Sequence, residues 1–253
     1  MDHVPPQHQH DAGGADRHGV LTTTRRYWLA GLALLALCGF VALGAWQWER
    51  RAWKLDLIAR VEARVHAAPV PLPSSSVWRN LTPDAFEYRR VRMAGSYLRD
   101  RETLVQAVTE RGPGFWVLTP LRTTAGTILV NRGFVPSGLR GSSATRAPEG
   151  PVSVTGLMRV SEPGGGFLRA NDPGANRWYS RDVAAIARAR RLTDVAPFFV
   201  DAEASADPRA LPVGGLTVIR FSNNHLVYAL TWFGLAGLCG FAAVRVWRER
   251  GVR

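Results

Sequence analysis

The chain has 253 residues, 46% of them hydrophobic, and a formal net charge of +12. That is enough apolar material for one sizeable core. The charge alone would suit a nucleic-acid partner, but the arginines are scattered along strands and loops rather than gathered in one run. Attraction to a membrane surface and to protein partners is the better use of them, and no nucleic-acid role is expected.

Taken in chain order, the opening "MDHVPPQHQHDAGGADRHG" is polar and patternless, so residues 1–24 read as a disordered cytoplasmic tail. His3, His8, His10 and His18 lack the fixed spacing of a metal site and read as solvated. From Tyr27 to Trp48 no residue is charged, and from Leu226 to Val244 the same holds. Each run is about 20 residues, the length a helix needs to cross roughly 30 Å of hydrocarbon. The spacing therefore predicts transmembrane helices over 27–48 and 226–244. "TTTRRYWLAG" resembles a twin-arginine export signal, yet the apolar run is longer than a signal core and flows into "WERRAWKLDLIARVEARV", which favours an uncleaved anchor. Asp2, Asp11 and Asp16 argue against a mitochondrial leader. Arg25 and Arg26 before the first span, and Arg245, Arg248 and Arg250 after the second, place both termini in the cytoplasm, with 245–253 a basic tail. Residues 49–224 then form one external domain on a bacterial plasma (inner) membrane protein.

That domain reads as strand-rich. "YRRVRMAGSYL", "ETLVQAV", "GFWVLTPLRT", "TILVNRGFV" and "VSVTGLMRV" are short runs of β-forming residues punctuated by Gly, Pro, Ser and Asp, and "FFVDA" and "LTVIRF" add two more. "SRDVAAIARARR" is helical, with Ser180 as the expected N-cap and Asp182 in the first turn. The fold class is membrane α+β: two transmembrane helices, one near each terminus, flank an external antiparallel sheet or barrel-like domain with one or two helices.

Cys38 and Cys239 both lie in the apolar spans, so the external domain has no disulfide framework, no cysteine metal site and no copper-carrier cysteine pair. There is no Gly-x-Ser-x-Gly elbow, no P-loop and no His-Glu-x-x-His helix. Asp172, Asp182 and Asp201 read more simply as salt-bridge and capping residues than as a catalytic pair. No enzymatic activity is expected.

Four local phrases stand out. In "GAWQWERRAWK", helical spacing puts Trp46, Arg50 and Trp53 along one face and Gln47, Arg51 and Lys54 along the next. An aromatic belt with snorkelling cations accounts for the same residues. In "VNRGFVP", Asn131, Arg132 and Gly133 interrupt an apolar strand. The glycine there suggests a bulge or a close backbone approach that would turn Arg132 toward a partner or ligand. Trp178 and Tyr179 precede the helix cap, and Asn223, Asn224 and His225 open the second span.

Together these phrases resemble the surfeit locus protein 1 family of cytochrome c oxidase assembly factors. The matching residues, in family order, are Gly44, Trp46, Gln47, Arg50, Trp53 and Lys54; Gly95 and Tyr97; Val117–Leu121; Val130–Gly133; Asn176, Trp178, Tyr179 and Asp182; and Asn223–Phe233. Phe134 stands where the family commonly has Trp. The resemblance implies a chaperone role in building a haem-copper oxidase, with its catalytic subunit and the haem a biosynthesis enzymes as partners. In bacterial members it further implies that haem a is bound and its insertion aided. On that reading His225 supplies an axial nitrogen to the iron, and Trp46, Tyr228 or Trp232 pack on the ring. Arg50 or Arg51 meets the propionates, and Asn223 and Asn224 orient the imidazole. The competing class is a protein-binding scaffold that stabilises oxidase subunits without touching haem.

Overall fold

The computed structural model describes residues 23–217, 221 and 223–248. The N-terminal tail and its histidines lie outside these residues, as do the last five residues of the basic C-terminal stretch. The described chain forms two compact units, one built from its two ends and one from residues 56–221.

Helix α1 (Thr23–His66) is 44 residues long and belongs to the first unit as far as Leu55. Its apolar half ends at Trp48, and the helix continues without a break through the charged stretch that follows, as its lack of Gly and Pro between Trp48 and His66 allows. It stops where Ala67-Ala68-Pro69 begins, because proline bars its preceding residue from the helical region. Helix α4 (His225–Arg248) is 24 residues long, with Arg245 and Arg248 in its last turn, where cations oppose the helix dipole favourably. Both helices are long and apolar enough to cross a membrane, and little of either apolar stretch is buried, unlike the core helix of a soluble protein.

The two helices pack antiparallel along small residues. Gly44 faces the ring of Phe233, and a Cβ on Gly44 would stand 2.5–2.8 Å from that ring. Ala229 and Ala236 are buried, and Gly240 faces Leu37. Phe40 stacks on Trp232 with ring centroids 5.6 Å apart, and at the far end Tyr27 meets Trp247 edge-on while Arg26 donates to the Val246 carbonyl. Where lipid competes equally for apolar surface, close approach at small residues is what holds helices together.

The second unit contains strands β1 (Val70–Pro71), β2 (Arg90–Tyr97), β3 (Thr103–Thr109), β4 (Gly112–Thr123), β5 (Gly126–Pro136), β6 (Pro151–Val160), the small hairpin β7 (Gly165–Gly166) and β8 (Arg169–Ala170), and β9 (Val195–Ala202). A four-residue helix α2 (Pro83–Phe86) and helix α3 (Val183–Ala189) complete it. The main sheet runs β1-β2-β6-β9-β5-β4-β3, and β2 also pairs with β4 through Ser96 and Tyr97. That extra pairing closes β2, β6, β9, β5 and β4 into a barrel-like ring. The expectation of an antiparallel sheet needs correction: β5 with β9 and β1 with β2 are parallel pairs. β9 lies between β5 and β6, with α3 and a long connection preceding it, so the chain returns in the same direction as β5. Of "LTVIRF", Leu216 and Thr217 are in no strand, and most of the remainder lies outside the described residues.

Strand alternation explains the core. Phe198 and Val200 point into one cluster with Ile128, Val130, Leu121 and Met158, while Phe199 and Leu129 point the other way onto Val105, Trp178 and Ile186. Strands β5 and β9 are buried on both faces, which is why they read as continuous apolar runs rather than as alternation. α3 covers the second cluster. Its N-cap is Asp182, whose Oδ1 accepts from Ala185 N at 2.9 Å, and not Ser180 as the sequence suggested. Ser180 Oγ instead donates to the Glu162 carbonyl and accepts from Gly165 N and Asn171 Nδ2, tying the β7–β8 hairpin down. Ser and Asp are both good caps, and the engagement of Ser180 Oγ by Glu162, Gly165 and Asn171 leaves Asp182 to cap the helix.

Candidate functional site

At the end of the helix pair where α1 turns charged, Gln47 and His225 meet. His225 Nδ1 lies 2.8 Å from Gln47 Oε1, and both side chains are half-buried. Gln47 follows Gly44 by three residues and Phe40 by seven, so it belongs to the face of α1 that packs on α4. On α4, His225, Tyr228, Ala229 and Trp232 share one face by the same spacing. Asn223 and Asn224 stand just ahead of the helix, where Asn is a favoured cap, and the Asn224 carbonyl accepts from Tyr228 N. Asn223 Oδ1 is buried without a hydrogen-bond partner.

The other predicted residues on these helices are placed less tightly. Trp46 and Tyr228 are each more than half exposed, and Trp232 is committed to Phe40. The Arg50 guanidinium sits 4.2 Å from the centre of the Trp53 ring, and Arg51 lies over Trp48 at 5.7 Å. Helical spacing puts Arg50 and Arg51 one turn beyond Gln47. Cation–π pairs of this kind hold guanidinium planes in place while leaving their edges free to bond.

In the β-unit, the Asn131-Arg132-Gly133 phrase does form a bulge: Trp116 pairs with Phe134 and Leu118 with Asn131, leaving Arg132 and Gly133 opposite one residue. Gly133 has φ +131°, and a Cβ there would run into the Val213 backbone. The bulge turns Arg132 onto its own chain. Its guanidinium donates to the Thr145 and Arg146 carbonyls, sits 3.7 Å from Glu102 and lies over Tyr97. Burial pushes Tyr97 up to about 12, against the pull of the Arg132 charge, and holds the Arg132 guanidinium below its ordinary value. Trp178 is 1% exposed and donates to Asn176 Oδ1, and so is a core residue. Tyr179 is half-buried, with Arg169 over its ring.

A second cluster was not legible in the sequence. Asp201, 4% exposed, accepts from Asn131 Nδ2 (2.8 Å), Arg181 (3.2 Å), Arg159 (2.8 Å) and Thr217 Oγ1 (2.9 Å). Arg181 also binds Glu162, and both arginines lie against the Phe199 ring. These groups border a cavity of about 180 Å³ that Trp116, Gly133 and Gly215 help to line. Burial would raise Glu162, but the hydrogen bonds and charge of Arg181 outweigh it and hold the carboxyl below its usual range. For Arg181 burial likewise opposes the charge, and Glu162 and Asp201 overcome it. The cluster sets two arginines against two carboxylates, which suits cross-bracing of β5, β6 and β9, although Arg159 Nε is buried without a hydrogen-bond partner. Asp172 pairs with Arg177, and Asp182 caps α3. Among the described residues no group of three or more His, Cys, Asp or Glu is placed to hold a metal ion.

A β-barrel-like domain whose chain runs out into two paired helices of membrane-crossing length, with a histidine seated on a glutamine between those helices, defines the class. The chain belongs to the SURF1 family, whose model matches residues 34–237. It is similar to surfeit locus protein 1 of Homo sapiens, with 37% identity over 232 residues covering 83% of this chain and 74% of the human protein. The Gallus gallus protein of the same name is 34% identical over 235 residues, covering 85% and 74%, and the SURF1-like protein of Monosiga brevicollis 35% over 212 residues, covering 78% of each.

Proposed function

We propose that this protein is an assembly factor for a haem-copper cytochrome c oxidase, embedded in a bacterial inner membrane, and that it holds haem a at the external end of its helix pair for delivery to the catalytic subunit. Family membership supports the assembly role. The observation that supports haem binding is the seat of His225: with Nδ1 engaged by Gln47, the imidazole has Nε2 left to offer a metal. The surroundings fit such a group. Trp46 and Tyr228 are exposed aromatic surface beside it, Arg50 and Arg51 are cations one turn away, and the buried Asn223 Oδ1 is an acceptor awaiting a donor. When bound, the haem would supply the iron and the redox-active ring; this chain's residues would hold and orient it, with no catalysis of their own. Both termini are placed in the cytoplasm and the β-unit outside, on the basic flanks of the two spans.

The scaffold reading has its own observation. At the β7–β8 turn Phe167 and Leu168 are 92% and 88% exposed, next to an exposed Val108 on β3, which is apolar surface suited to a protein contact. Purification of the full chain from cells that make haem a separates the two readings. A haem a absorption band that copurifies in constant ratio with the protein is expected; colourless protein that still pulls down oxidase subunits would establish the scaffold instead.

A further inference from the structure

Resting on the haem-binding reading, the geometry points to Gln47 as the residue that sets the tautomer of His225 and aims its free nitrogen. The two residues are 178 apart in sequence and come from different helices, so their contact is made only when α1 and α4 pair. An amide oxygen can only accept a hydrogen bond. With Gln47 Oε1 2.8 Å from Nδ1, the neutral imidazole must carry its hydrogen on Nδ1 and its lone pair on Nε2. An unconstrained neutral imidazole carries its hydrogen mainly on Nε2, which would put the lone pair against Gln47 and a hydrogen where a metal must bind. Gln47 therefore excludes the wrong form.

Three features of the fold make Gln47 suited to this. Helix spacing places it one turn beyond Gly44, which packs directly against the Phe233 ring of α4, so its side chain is delivered to the α4 face. The stack of Phe40 on Trp232 fixes the rotation of the two helices about each other, and with it the height of Gln47 against His225. Finally, Asn223 Oδ1 has no hydrogen-bond partner, whereas Gln47 Oε1 is the atom that meets Nδ1. The orienting role that the sequence suggested for them falls to Gln47. As a neutral acceptor it also leaves the imidazole less electron-rich than a carboxylate would, which suits a carrier that must release what it binds.

The test begins without haem. Full-length protein labelled with 15N-histidine, purified haem-free in detergent, should show His225 (identified by the signal lost in His225→Ala) as the Nδ1–H tautomer. Gln47→Leu should shift it to the Nε2–H form, and Gln47→Glu, which keeps an acceptor, should restore Nδ1–H. With haem a bound, Gln47→Leu should speed haem dissociation about 10–100-fold, the range for loss of a ligand-orienting partner. Gln47→Glu should retain haem and raise the iron–imidazole stretching frequency. An Nε2–H imidazole in the unmodified protein, or a tautomer indifferent to Gln47→Leu, overturns the proposal. So does a haem dissociation rate that His225→Ala raises and Gln47→Leu does not. If His225→Ala itself leaves haem retention unchanged, the ligation reading is what fails, and the haem-free spectra still decide the role of Gln47.

Discussion

Asn131 on β5 donates its side-chain amide to the carboxylate of Asp201 on β9, 2.8 Å away, across the parallel pairing that joins these two strands. Because Asp201 also accepts from Arg159, Arg181 and Thr217, it is the common acceptor of the cluster. Asp201→Asn should destabilise the β-unit by about 3–5 kcal/mol, since it leaves two largely buried guanidinium groups without their shared counter-charge. Chemical denaturation read by tryptophan fluorescence would measure it, and a loss below about 1 kcal/mol would show that the cluster braces nothing.

Glu162 makes a prediction about acid. Its folded-state pKa is depressed, so its contribution is present above the unfolded carboxylate value and is lost as pH falls through the lower folded value. Its side chain is 40% exposed, which limits the effect to about 1 kcal/mol. Glu162→Gln should cost that much at neutral pH and converge with the unmodified protein in acid. A gap that persists unchanged below the carboxylate range would assign the loss to packing instead.

Gly44 and Phe233 should be coupled. Gly44→Ala places a methyl against the Phe233 ring and should destabilise the helix pair by about 1–3 kcal/mol, as overpacking does. Phe233→Ala opens the space, so the double variant should recover part of the loss, giving a coupling of about 1 kcal/mol in a double-mutant cycle on thermal unfolding in detergent. Strict additivity would mean that the helices do not meet there.

Topology is checked by reporter fusions after Gly165 and Arg253. The first should read as external and the second as cytoplasmic, because basic flanks hold both ends inside. An external signal at Arg253 would reverse or remove one of the spans.

The sequence made the elements legible where one physical signal dominated. Uncharged runs of about 20 residues marked both long helices, and β-forming runs marked the six principal strands from β2 to β9. Partners in space were harder. Asp201 reads as an ordinary surface acid because nothing local reveals that Arg159, Arg181 and Asn131 converge on it from two strands and a loop. Ser180 and Asp182 were both competent caps, and only the tertiary tie of Ser180 to Glu162 and Asn171 separates them. Gln47 was visible as part of a helical motif, but its contact with His225 spans nearly the whole chain, and no local pattern carries it.

The most direct measurement compares the unmodified protein with His225→Ala, both purified full-length from cells making haem a and matched in concentration. His225 is half-buried at the helix entry, so truncating it should leave protein yield unchanged. A lower haem-to-protein ratio and a shifted haem spectrum are expected in the variant, with some haem retained because its apolar surface stays buried at about 25 cal/mol per Å². Identical ratios and identical spectra would contradict ligation by His225.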